Sequence, residues 1–391
     1  MKIGIAGPVS LNLLAYEGRP PDDLPSCEDA PIVSCIANGL LARGHEVVIY
    51  ASAAGLAEPY VHVSPRLAIC VGRRRGRHRA RDLYRLERKD LVELMRAHPV
   101  DVIHAHWSYD YAWSAIDANP ATLVTVHDHA RTILKHSPKA FWLARAVMSG
   151  IVLRRARHLS APSEYLYRLL TPAQRQRARV VPNFYPPLLD DISSGSCMRT
   201  RGLDAPVITT IANGFAPWKN VARAIRAFGL LRRKVPSAEF RLVGEDMGAN
   251  GPARAYAMSV GLMAGVSFVG RLPYVQTLRE TAAATVLLHP ALEESFGMTV
   301  LEAMALGTPV VGGRDSGNIP HLLGNGCAGV LCDVRSPGSM ADALLSLLGD
   351  PERATELSQR AGVLARERFS EEPAIEAYLR YYRDILERQS R

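Results

Sequence analysis

The chain has 391 residues, of which 48% are hydrophobic and 22% charged, and its formal net charge is +9 with histidine counted as neutral. This length favours two or three domains, and no apolar run approaches the roughly 18 residues that a membrane-spanning helix needs. The six cysteines form no C-x-x-C pair, which argues against a zinc site of that kind and is typical of free thiols in a reducing cytosol. The positive charge makes nucleic acid, acidic membranes and phosphorylated substrates candidate partners.

The first half of the chain alternates short apolar stretches with helix-like ones. The N-terminal MKIGIAGPVSLNLLA is interpreted as a buried strand rather than a signal peptide, because Pro8 and Asn12 interrupt its apolar part. A helix is predicted within CEDAPIVSCIANGLLARG, where Gly44 ends it. The predicted strands are KIGIA, EVVIYA, DVIHAH, ATLVTVHD and VVPN. Continuous apolar strands separated by helices indicate a parallel, doubly wound sheet.

A second series of strands and helices follows the proline- and serine-rich FYPPLLDDISSGSCMRTRGLDAP. Asn220 is predicted to cap the helix NVARAIRAFGLLRRKV, and Ser336 caps another that begins at Pro337. From about Asp350 the chain is predicted to be helical and amphipathic. The predicted strands are VITTIA, EFRLVG, VSFVG, TVLLH, PVVGG and GVLC.

The two series predict an α/β protein with two Rossmann-like, doubly wound domains that face each other across a cleft. The N-terminal domain spans residues 1–185, and a linker spans 186–205. The C-terminal domain spans 206–370, and a last helix at 371–391 could pack back on the N-terminal domain.

The stretch HPALEESFGMTVLEAMALGTPVVGG contains the most informative pattern of the chain. Glu294 is predicted on a loop at the carboxyl end of a strand, where ligands of open parallel sheets collect, and Glu302 in the helix that follows. The amides around Gly297 would face phosphate oxygens at the helix start. Carboxylates for hydroxyl groups beside amides for phosphates fit a sugar nucleotide, whereas the alternative is two solvated glutamates near a helix start.

ESFGMTVLEAMALGTPVV resembles the signature of glycosyltransferase family 4, retaining transferases with the GT-B fold, in which seven residues separate two glutamates. FVGRLP, GNIPHLLGNGCAGVL, VVPN and DVIHAHW…TVHD also occur in the expected order. The resemblance implies a retaining glycosyltransferase that moves a sugar from a nucleoside-diphosphate sugar to a carbohydrate-type or lipid-linked acceptor, in glycan, polysaccharide or glycoconjugate biosynthesis. It also implies that the N-terminal domain binds the acceptor and that the C-terminal domain binds the nucleotide-sugar donor. It leaves the donor base, the sugar and the acceptor open.

The resemblance also implies roles for individual residues. Glu294 would contact the donor sugar, Glu302 the nucleotide ribose, and Lys219 the diphosphate. Gly214 stands where the family often has an arginine, so a second phosphate cation could be missing. His127, at the end of TVHD, would touch the donor sugar or reaction centre, although a structural histidine is the alternative. The other residues implied in donor binding are Ser295, Phe296, Gly297, Met298, Thr299, Asn213, Gly214, Arg271 and Leu272.

Neither a metal nor a cofactor is expected, because the chain contains no D-x-D and a lysine can replace the metal. The H-x-H pairs at His104/His106 and His127/His129 would also fit a binuclear metal hydrolase, but such sites usually need further carboxylates. An NAD-dependent oxidoreductase is disfavoured because no G-x-G-x-x-G follows the first strand. A catalytically idle nucleotide-sugar-binding or scaffold protein of the same fold remains the alternative function.

Two basic segments, Gly72–Asp82 and Lys139–His158, are interpreted first as a solvated face and a packed helix with a basic end. Both could instead dock to an anionic membrane, and the first also to a phosphorylated acceptor. Nucleic acid is disfavoured because aromatic residues do not alternate with the basic ones. The expected location is the cytoplasm, with peripheral contact at the inner face of the membrane as an option.

Overall fold

The structure is a computed structural model that describes residues 1–195 and 204–389. It divides into two compact units. The first unit contains residues 1–183 and 371–391, and the second contains residues 184–370. Each unit is built around one sheet, and nearly all of its strand pairs are parallel.

In the described residues, the sheet of the first unit has eight strands in the order β3-β4-β2-β1-β5-β6-β7-β8, and only the β3–β4 pair is antiparallel. The strands are β1 (Lys2–Ala6), β2 (Glu46–Ala54), β3 (Tyr60–Val63), β4 (Leu67–Arg74), β5 (Val102–His106), β6 (Thr122–Thr125), β7 (His158–Ala161) and β8 (Ala178–Val180). The helices are α1 (Pro31–Ala42), α2 (Arg85–Ala97), α3 (Asp110–Ala118), α4 (Ala130–His136), α5 (Ala140–Arg155), α6 (Glu164–Leu169) and α7 (Pro172–Arg175), with 3-10 turns at Leu11–Leu13 and Arg79–Asp82.

Three strands of this sheet are absent from the sequence-based prediction. β4 runs directly into the basic segment, so its apolar half LAICV was not separated from the arginines that follow. β3 and β7 have only four residues each, too few for a clear alternation. The predicted first helix also begins later than expected, at Pro31, because proline favours the first turn of a helix.

In the described residues, the sheet of the second unit has six strands, all parallel, in the order β11-β10-β9-β12-β13-β14. The strands are β9 (Val207–Ile211), β10 (Glu239–Val243), β11 (Val266–Gly270), β12 (Val286–His289), β13 (Val310–Gly313) and β14 (Val330–Cys332). The helices are α8 (Leu188–Gly195), α9 (Val221–Lys234), α10 (Pro252–Ser259), α11 (Tyr274–Ala283), α12 (Met298–Ala305), α13 (Ile319–Leu322), α14 (Pro337–Leu348) and α15 (Pro351–Arg368), with 3-10 turns at Pro217–Lys219 and Gly324–Gly326.

Part of the segment that was interpreted as a linker, 186–205, is a helix of the second unit. Helix α8 begins just after two prolines, a position at which proline is compatible with a helix. Leu189 on this helix is fully buried and belongs to the same apolar cluster as Val300 and Leu301 of α12. Residues 196–203 of the predicted linker lie outside the described residues.

The last helix, α16 (Glu371–Gln389), belongs to the first unit. Ile375 is fully buried, and a Cβ atom at Gly39 of α1 would come within 2.8 Å of it, so the two helices pack closely. The hydroxyl of Tyr382 lies 2.7 Å from Nδ1 of His104 on β5. Tyr381 donates a hydrogen bond of 3.0 Å to the carbonyl of Leu159 on β7. The helix is therefore joined to the centre of the sheet by both apolar and polar contacts.

The strand orders define where each sheet can bind a ligand. In the second unit the chain proceeds outward from β9 to β11, then returns to β12 on the other side of β9 and proceeds to β14. The crevice at the carboxyl ends of β9 and β12 is therefore a topological switch point, the usual ligand position in such sheets. In the first unit the corresponding pair is β1 and β5.

Candidate functional site

The loop after β9 carries Asn213, Gly214 and Lys219 and is held by the loop after β10. The amide of Gly214, whose φ is +91°, donates a 3.1 Å hydrogen bond to the carbonyl of Glu245. The amide of Phe215 donates a 3.0 Å hydrogen bond to Oδ2 of Asp246. A left-handed φ is readily adopted by glycine, so Gly214 permits this turn. The position where the family often has arginine is thus a backbone turn in this chain.

Asn220 follows Lys219 directly and occupies the N-cap position of α9, as predicted, but its side chain does not cap the helix. Its Nδ2 instead donates 2.8 Å hydrogen bonds to the carbonyls of Pro290 and Val334. The amide of Leu292 also donates a 2.8 Å hydrogen bond to the carbonyl of Trp218. These contacts fasten the loop after β9 to the loop after β12, which the sequence pattern did not indicate.

Lys219 and Glu294 meet at this junction. Nζ of Lys219 lies 3.4 Å from Oε2 of Glu294 and 4.1 Å from the centre of the Trp218 ring. Nε2 of His289, the last residue of β12, lies 3.5 Å from the same carboxylate oxygen. Burial by itself raises the pKa of Glu294, but the charge of Lys219 and the imidazole of His289 outweigh it and lower the pKa to about 2. The carboxylate is therefore ionised at neutral pH.

The segment Ser316–Asn318 supports the Glu294 loop through hydrogen bonds. The backbone amide of Asn318 donates a 2.9 Å hydrogen bond to the carbonyl of Glu294, and its side-chain Nδ2 donates one of 3.0 Å to the carbonyl of Phe296. Gly317 has a φ of +59°, and a Cβ atom there would lie 2.3 Å from the Glu294 carbonyl oxygen. The only sign of this support in the sequence is the segment GNIPH, which matches the family without revealing its role.

The helix that follows Glu294 begins at a glycine that no other residue could replace without strain. Gly297 is the N-cap of α12 with a φ of +102°, and a Cβ atom there would lie 2.7 Å from Cδ1 of Ile319. Its carbonyl accepts hydrogen bonds from the amides of Val300 and Leu301, which starts the helix. Ser295, Phe296, Met298 and Thr299 thus stand at or next to the positive end of a helix, where N–H groups and the dipole favour an anion.

Glu302 lies one turn into α12 and is 5% exposed, so the alternative of a solvated glutamate is wrong for this residue. The hydroxyl of Tyr274, at the start of α11, donates a 2.6 Å hydrogen bond to Oε1 of Glu302. Burial raises the pKa of Glu302 to about 7, although the Tyr274 hydrogen bond opposes the shift. The two glutamates of the motif therefore differ in charge: Glu294 is fully ionised at neutral pH and Glu302 only partly.

Arg271 and Leu272 follow β11, the edge strand, and so lie at the same carboxyl edge of the sheet but two strand positions from β9. Arg271 is exposed. The sheet thus brings the residues after β9 and β12 into contact. Arg271 and Leu272 lie apart from them, at the edge of the sheet.

In the first unit, His127 lies two residues beyond β6 rather than on it. Its Nε2 is 2.8 Å from Nδ1 of His106, the last residue of β5, and its ring lies 4.4 Å from that of Trp107. Burial lowers the pKa of His127 to about 3, so its imidazole is neutral at physiological pH. His106, whose side chain is fully buried, is named in the sequence analysis only as part of an H-x-H pair.

The two H-x-H pairs do not form a metal centre. The imidazole of His104 contacts Tyr382 through Nδ1 and Thr125 through Nε2, at 2.7 and 2.6 Å. His129 contacts the hydroxyl of Thr132 at 2.7 Å. Across residues 1–195 and 204–389, no group of three or more His, Cys, Asp or Glu side chains could hold a metal ion. These histidines thus make polar contacts that involve β5, β6, α4 and α16.

The first basic segment, Gly72–Asp82, is largely ion-paired rather than a free solvated face. Arg73 makes two 2.8 Å hydrogen bonds to the carboxylate of Asp90. Arg75 binds both Asp82 and Glu87, at 2.8 and 2.7 Å. Arg74 and Arg79 both pair with Glu28. Four of its cations therefore have acidic partners within the unit, which weakens the idea that this segment docks to an anion.

Within the described part of the chain, no helix combines the length and the apolar character that crossing a bilayer requires.

Two family models match the chain and together span most of it. The model of glycosyltransferase family 4 matches residues 33–187, and the model of glycosyl transferases group 1 matches residues 202–363. The chain is 32% identical over 174 residues to the D-inositol 3-phosphate glycosyltransferase of Corynebacterium glutamicum, a match that covers 42% of this chain and 41% of that protein. The chain thus spans less than half the length of this curated relative.

Solved structures resemble the chain over nearly its whole length. Sucrose-phosphate synthase from Thermosynechococcus elongatus has a TM-score of 0.75 at 19% identity, with 98% of both chains covered. Anabaena HepE, solved in complex with UDP and glucose, has a TM-score of 0.69 at 18% identity and covers 98% of this chain and 100% of its own. These similarities concern the fold. With the motif around Glu294 and the two family matches, they show that the chain belongs to glycosyltransferase family 4 and has the GT-B fold.

Proposed function

We propose that the protein is a retaining glycosyltransferase that moves a sugar from a nucleoside-diphosphate sugar to a carbohydrate-type or lipid-linked acceptor in glycan, polysaccharide or glycoconjugate biosynthesis. The observation that carries this proposal is the contact between Lys219 and Glu294 at the switch point of the second sheet. One residue supplies a cation for phosphate, the other an ionised acceptor for sugar hydroxyls, and the start of α12 follows Glu294 directly.

The chemistry of the donor explains why this arrangement would accelerate transfer. Loss of the nucleoside diphosphate places negative charge on the leaving oxygen, and groups that stabilise this charge most in the transition state raise the rate. Lys219 and the α12 N-terminus are suited to that role, and no metal is then required. A charge-assisted hydrogen bond contributes about 1.5–3 kcal/mol, so removal of Lys219 should reduce turnover roughly tenfold to a hundredfold.

The two glutamates would bind different parts of the donor. Glu294 is ionised and can accept hydrogen bonds from sugar hydroxyls, as the family resemblance implies. Glu302 lies in a buried setting beside Tyr274, and we assign it to the ribose. Because a carboxylate accepts hydrogen bonds best when ionised, ribose binding should favour the deprotonated form of Glu302 and lower its pKa. The contact between His127 and the donor sugar stays a prediction.

A uridine nucleotide is our first choice of donor, because HepE, which shares the fold, was solved with UDP and glucose. We place the reaction in the cytoplasm. Cys27, Cys35, Cys70, Cys327 and Cys332 are free thiols, as is usual in a reducing compartment.

The proposal is tested by titrating UDP, GDP, ADP and dTDP into the protein by calorimetry. One of the four should bind, and Lys219→Met should weaken it about tenfold or more. Lys234→Met is the matched control, since Lys234 is an exposed lysine at the end of α9 in the same unit, and it should bind like the native protein. Equal weak binding of all four nucleotides, or no effect of Lys219→Met, would contradict the donor site.

Retention is tested separately, by NMR of the anomeric proton of the product formed from the matching nucleotide sugar. The product should have the anomeric configuration of the donor. Tight nucleotide binding without transfer or hydrolysis, for every sugar and acceptor supplied, would favour the catalytically idle binding protein instead.

A further inference from the structure

One stripe of α5 in the first unit is exposed and largely apolar at its centre. Leu143 is 56% exposed and Val147 is 47% exposed. Lys139, one turn before Leu143, and Arg154, near the other end of the helix, are exposed as well. At a period of 3.6 residues these four side chains project from the same side of the helix. The stripe therefore has an apolar middle and a cation towards each end.

The opposite side of α5 is the side that attaches it to the unit. Met148 and Val152 are fully buried, and Ser149 contacts Ser108 through their hydroxyls at 2.8 Å. Arg145, on the same inward side, stacks on Tyr109 at 4.3 Å. Because α5 packs on the unit through this face, Leu143 and Val147 are exposed on a helix that is firmly attached to the unit.

The charged residues in the chain segment that carries this stripe have one sign. Between His129 and Ser163 there is no aspartate or glutamate, whereas seven residues are lysine or arginine. Arg145 is inward, and Arg155 pairs with Asp117 at 2.5 Å. The remaining five side chains are exposed: Arg131, Lys135, Lys139, Arg154 and Arg157. In the first basic segment, by contrast, four arginines have acidic partners.

From this combination we propose that the α5 face, defined as Lys139, Leu143, Val147 and Arg154, docks on the surface of an anionic lipid bilayer. A helix of this kind lies in the plane of the interface, with apolar side chains among the acyl chains and cations at the headgroups. A second copy of this chain fits the face less well, because a two-fold contact would bring like charges together. The proposal goes beyond sugar transfer and needs no donor.

The expected strength is modest and depends on charge. Each Lys or Arg near an anionic membrane contributes about 1 kcal/mol, or roughly fivefold in binding. Loss of Lys139 and Arg154 should therefore weaken binding roughly 25-fold, and added salt should weaken binding of the native protein.

The experiment is sedimentation of the full chain with vesicles of phosphatidylcholine, either alone or with about one third phosphatidylglycerol. The native protein should bind the anionic vesicles at least tenfold more tightly than the neutral ones. The variants Lys139→Ala/Arg154→Ala and Leu143→Gln/Val147→Gln should each lose most of this binding. Met258→Gln/Val363→Gln is the matched control, because Met258 and Val363 of the second unit are also 56% and 47% exposed. It should bind like the native protein.

Several results would overturn the proposal. Equal affinity for neutral and anionic vesicles would exclude recognition of charge, and unchanged binding by both α5 variants would place any docking elsewhere. A concentration-dependent dimer that Leu143→Gln/Val147→Gln abolishes would assign the face to a second copy of the chain. An unchanged melting temperature in these variants would show that they fold, so that lost binding reflects lost docking. Unchanged nucleotide binding would show that the proposed function is independent of docking.

Discussion

Lys219 and Glu294 are 75 residues apart in the chain, yet Nζ of the lysine lies 3.4 Å from Oε2 of the glutamate. The contact exists because β9 and β12 are neighbours in the sheet although two other strands separate them in sequence. The amide side chain of Asn220 and the backbone of Trp218 join the two loops that carry the pair. Lys219 also determines the charge state of its partner, since it keeps Glu294 ionised.

The first prediction concerns this dependence in the absence of donor. In Lys219→Met the partly buried Glu294 carboxylate loses its main cation, so its pKa should rise from about 2 towards or above the ordinary value. The depressed pKa contributes stability above the unfolded value of 4.5, and this contribution is lost as the pH falls through about 2. The variant should therefore be less stable than the native protein at neutral pH, by about 1–3 kcal/mol.

Urea unfolding at neutral pH measures this difference. Glu294→Gln/Lys219→Met should recover part of the loss, because the uncompensated charge is gone. Equal stability of Lys219→Met and the native protein would show that the pair is not coupled.

The second prediction concerns Glu302, whose pKa is raised to about 7 by burial. Between pH 4.5 and about 7 the folded protein holds this proton and the unfolded chain does not, so stability falls as the pH rises through this window. The shift corresponds to about 3 kcal/mol. Glu302→Gln should match the native protein at about pH 4.5 and be more stable above pH 7 by up to that amount.

Calorimetric melting of the second unit's transition across this pH range provides the measurement. The exposed Glu352, in the first turn of α15, supplies the control variant Glu352→Gln, which should follow the native pH profile. A parallel shift of the Glu302→Gln profile at all pH values would argue against a raised pKa.

The third prediction concerns the protonation of His127. Nε2 of His106 is buried without a hydrogen-bond partner among the residues that the structure describes, so a proton is disfavoured there. The proton of His106 then lies on Nδ1 and is donated to Nε2 of His127, 2.8 Å away. His127 should therefore be a neutral imidazole with its own proton on Nδ1.

Nitrogen-15 NMR distinguishes these states, and the loss of a signal in His127→Gln assigns the resonance. We expect the His127 signals to stay those of the Nδ1-protonated neutral ring down to about pH 5, because burial lowers its pKa to about 3. Observation of an imidazolium near neutral pH, or of a proton on Nε2, would be incompatible with this contact.

The fourth prediction concerns the start of α12. Gly297→Ala places a Cβ atom 2.7 Å from Cδ1 of Ile319 at a φ of +102°, so both sterics and backbone strain oppose it. We expect a loss of about 2–4 kcal/mol in the free energy of unfolding, combining strain and overpacking. Nucleotide affinity should fall as well, since the helix start moves.

Gly338→Ala is the contrasting variant. Gly338 lies inside α14, and the nearest side-chain atom to its Cβ position is 3.7 Å away. Alanine there should stabilise the protein by up to about 1 kcal/mol. If Gly297→Ala were as well tolerated as Gly338→Ala, the tight packing at the α12 start would be disproved.

Much of the second unit was predictable because its local patterns are strong. VSFVG is a strand with the bounds that its apolar run suggests, and Ser336 caps α14 as predicted, through a hydrogen bond from the amide of Ser339. Asn220 shows the limit of such reasoning. It is in the expected place, but its amide binds carbonyls brought there by β12 and β14, which no local pattern reveals.

By itself, the sequence determined which residues are candidates for the donor site, because the motif from Glu294 to Glu302 and the strand before Lys219 are continuous in the chain. Only the tertiary structure decided their states. Side-chain packing buried Glu302 and raised its pKa, strand order brought Lys219 to Glu294, and contacts across β5 and β6 turned His106 towards His127. The charge state and the contacts of each side chain depend on neighbours that lie far away in sequence. Burial and strand pairing bring these neighbours together.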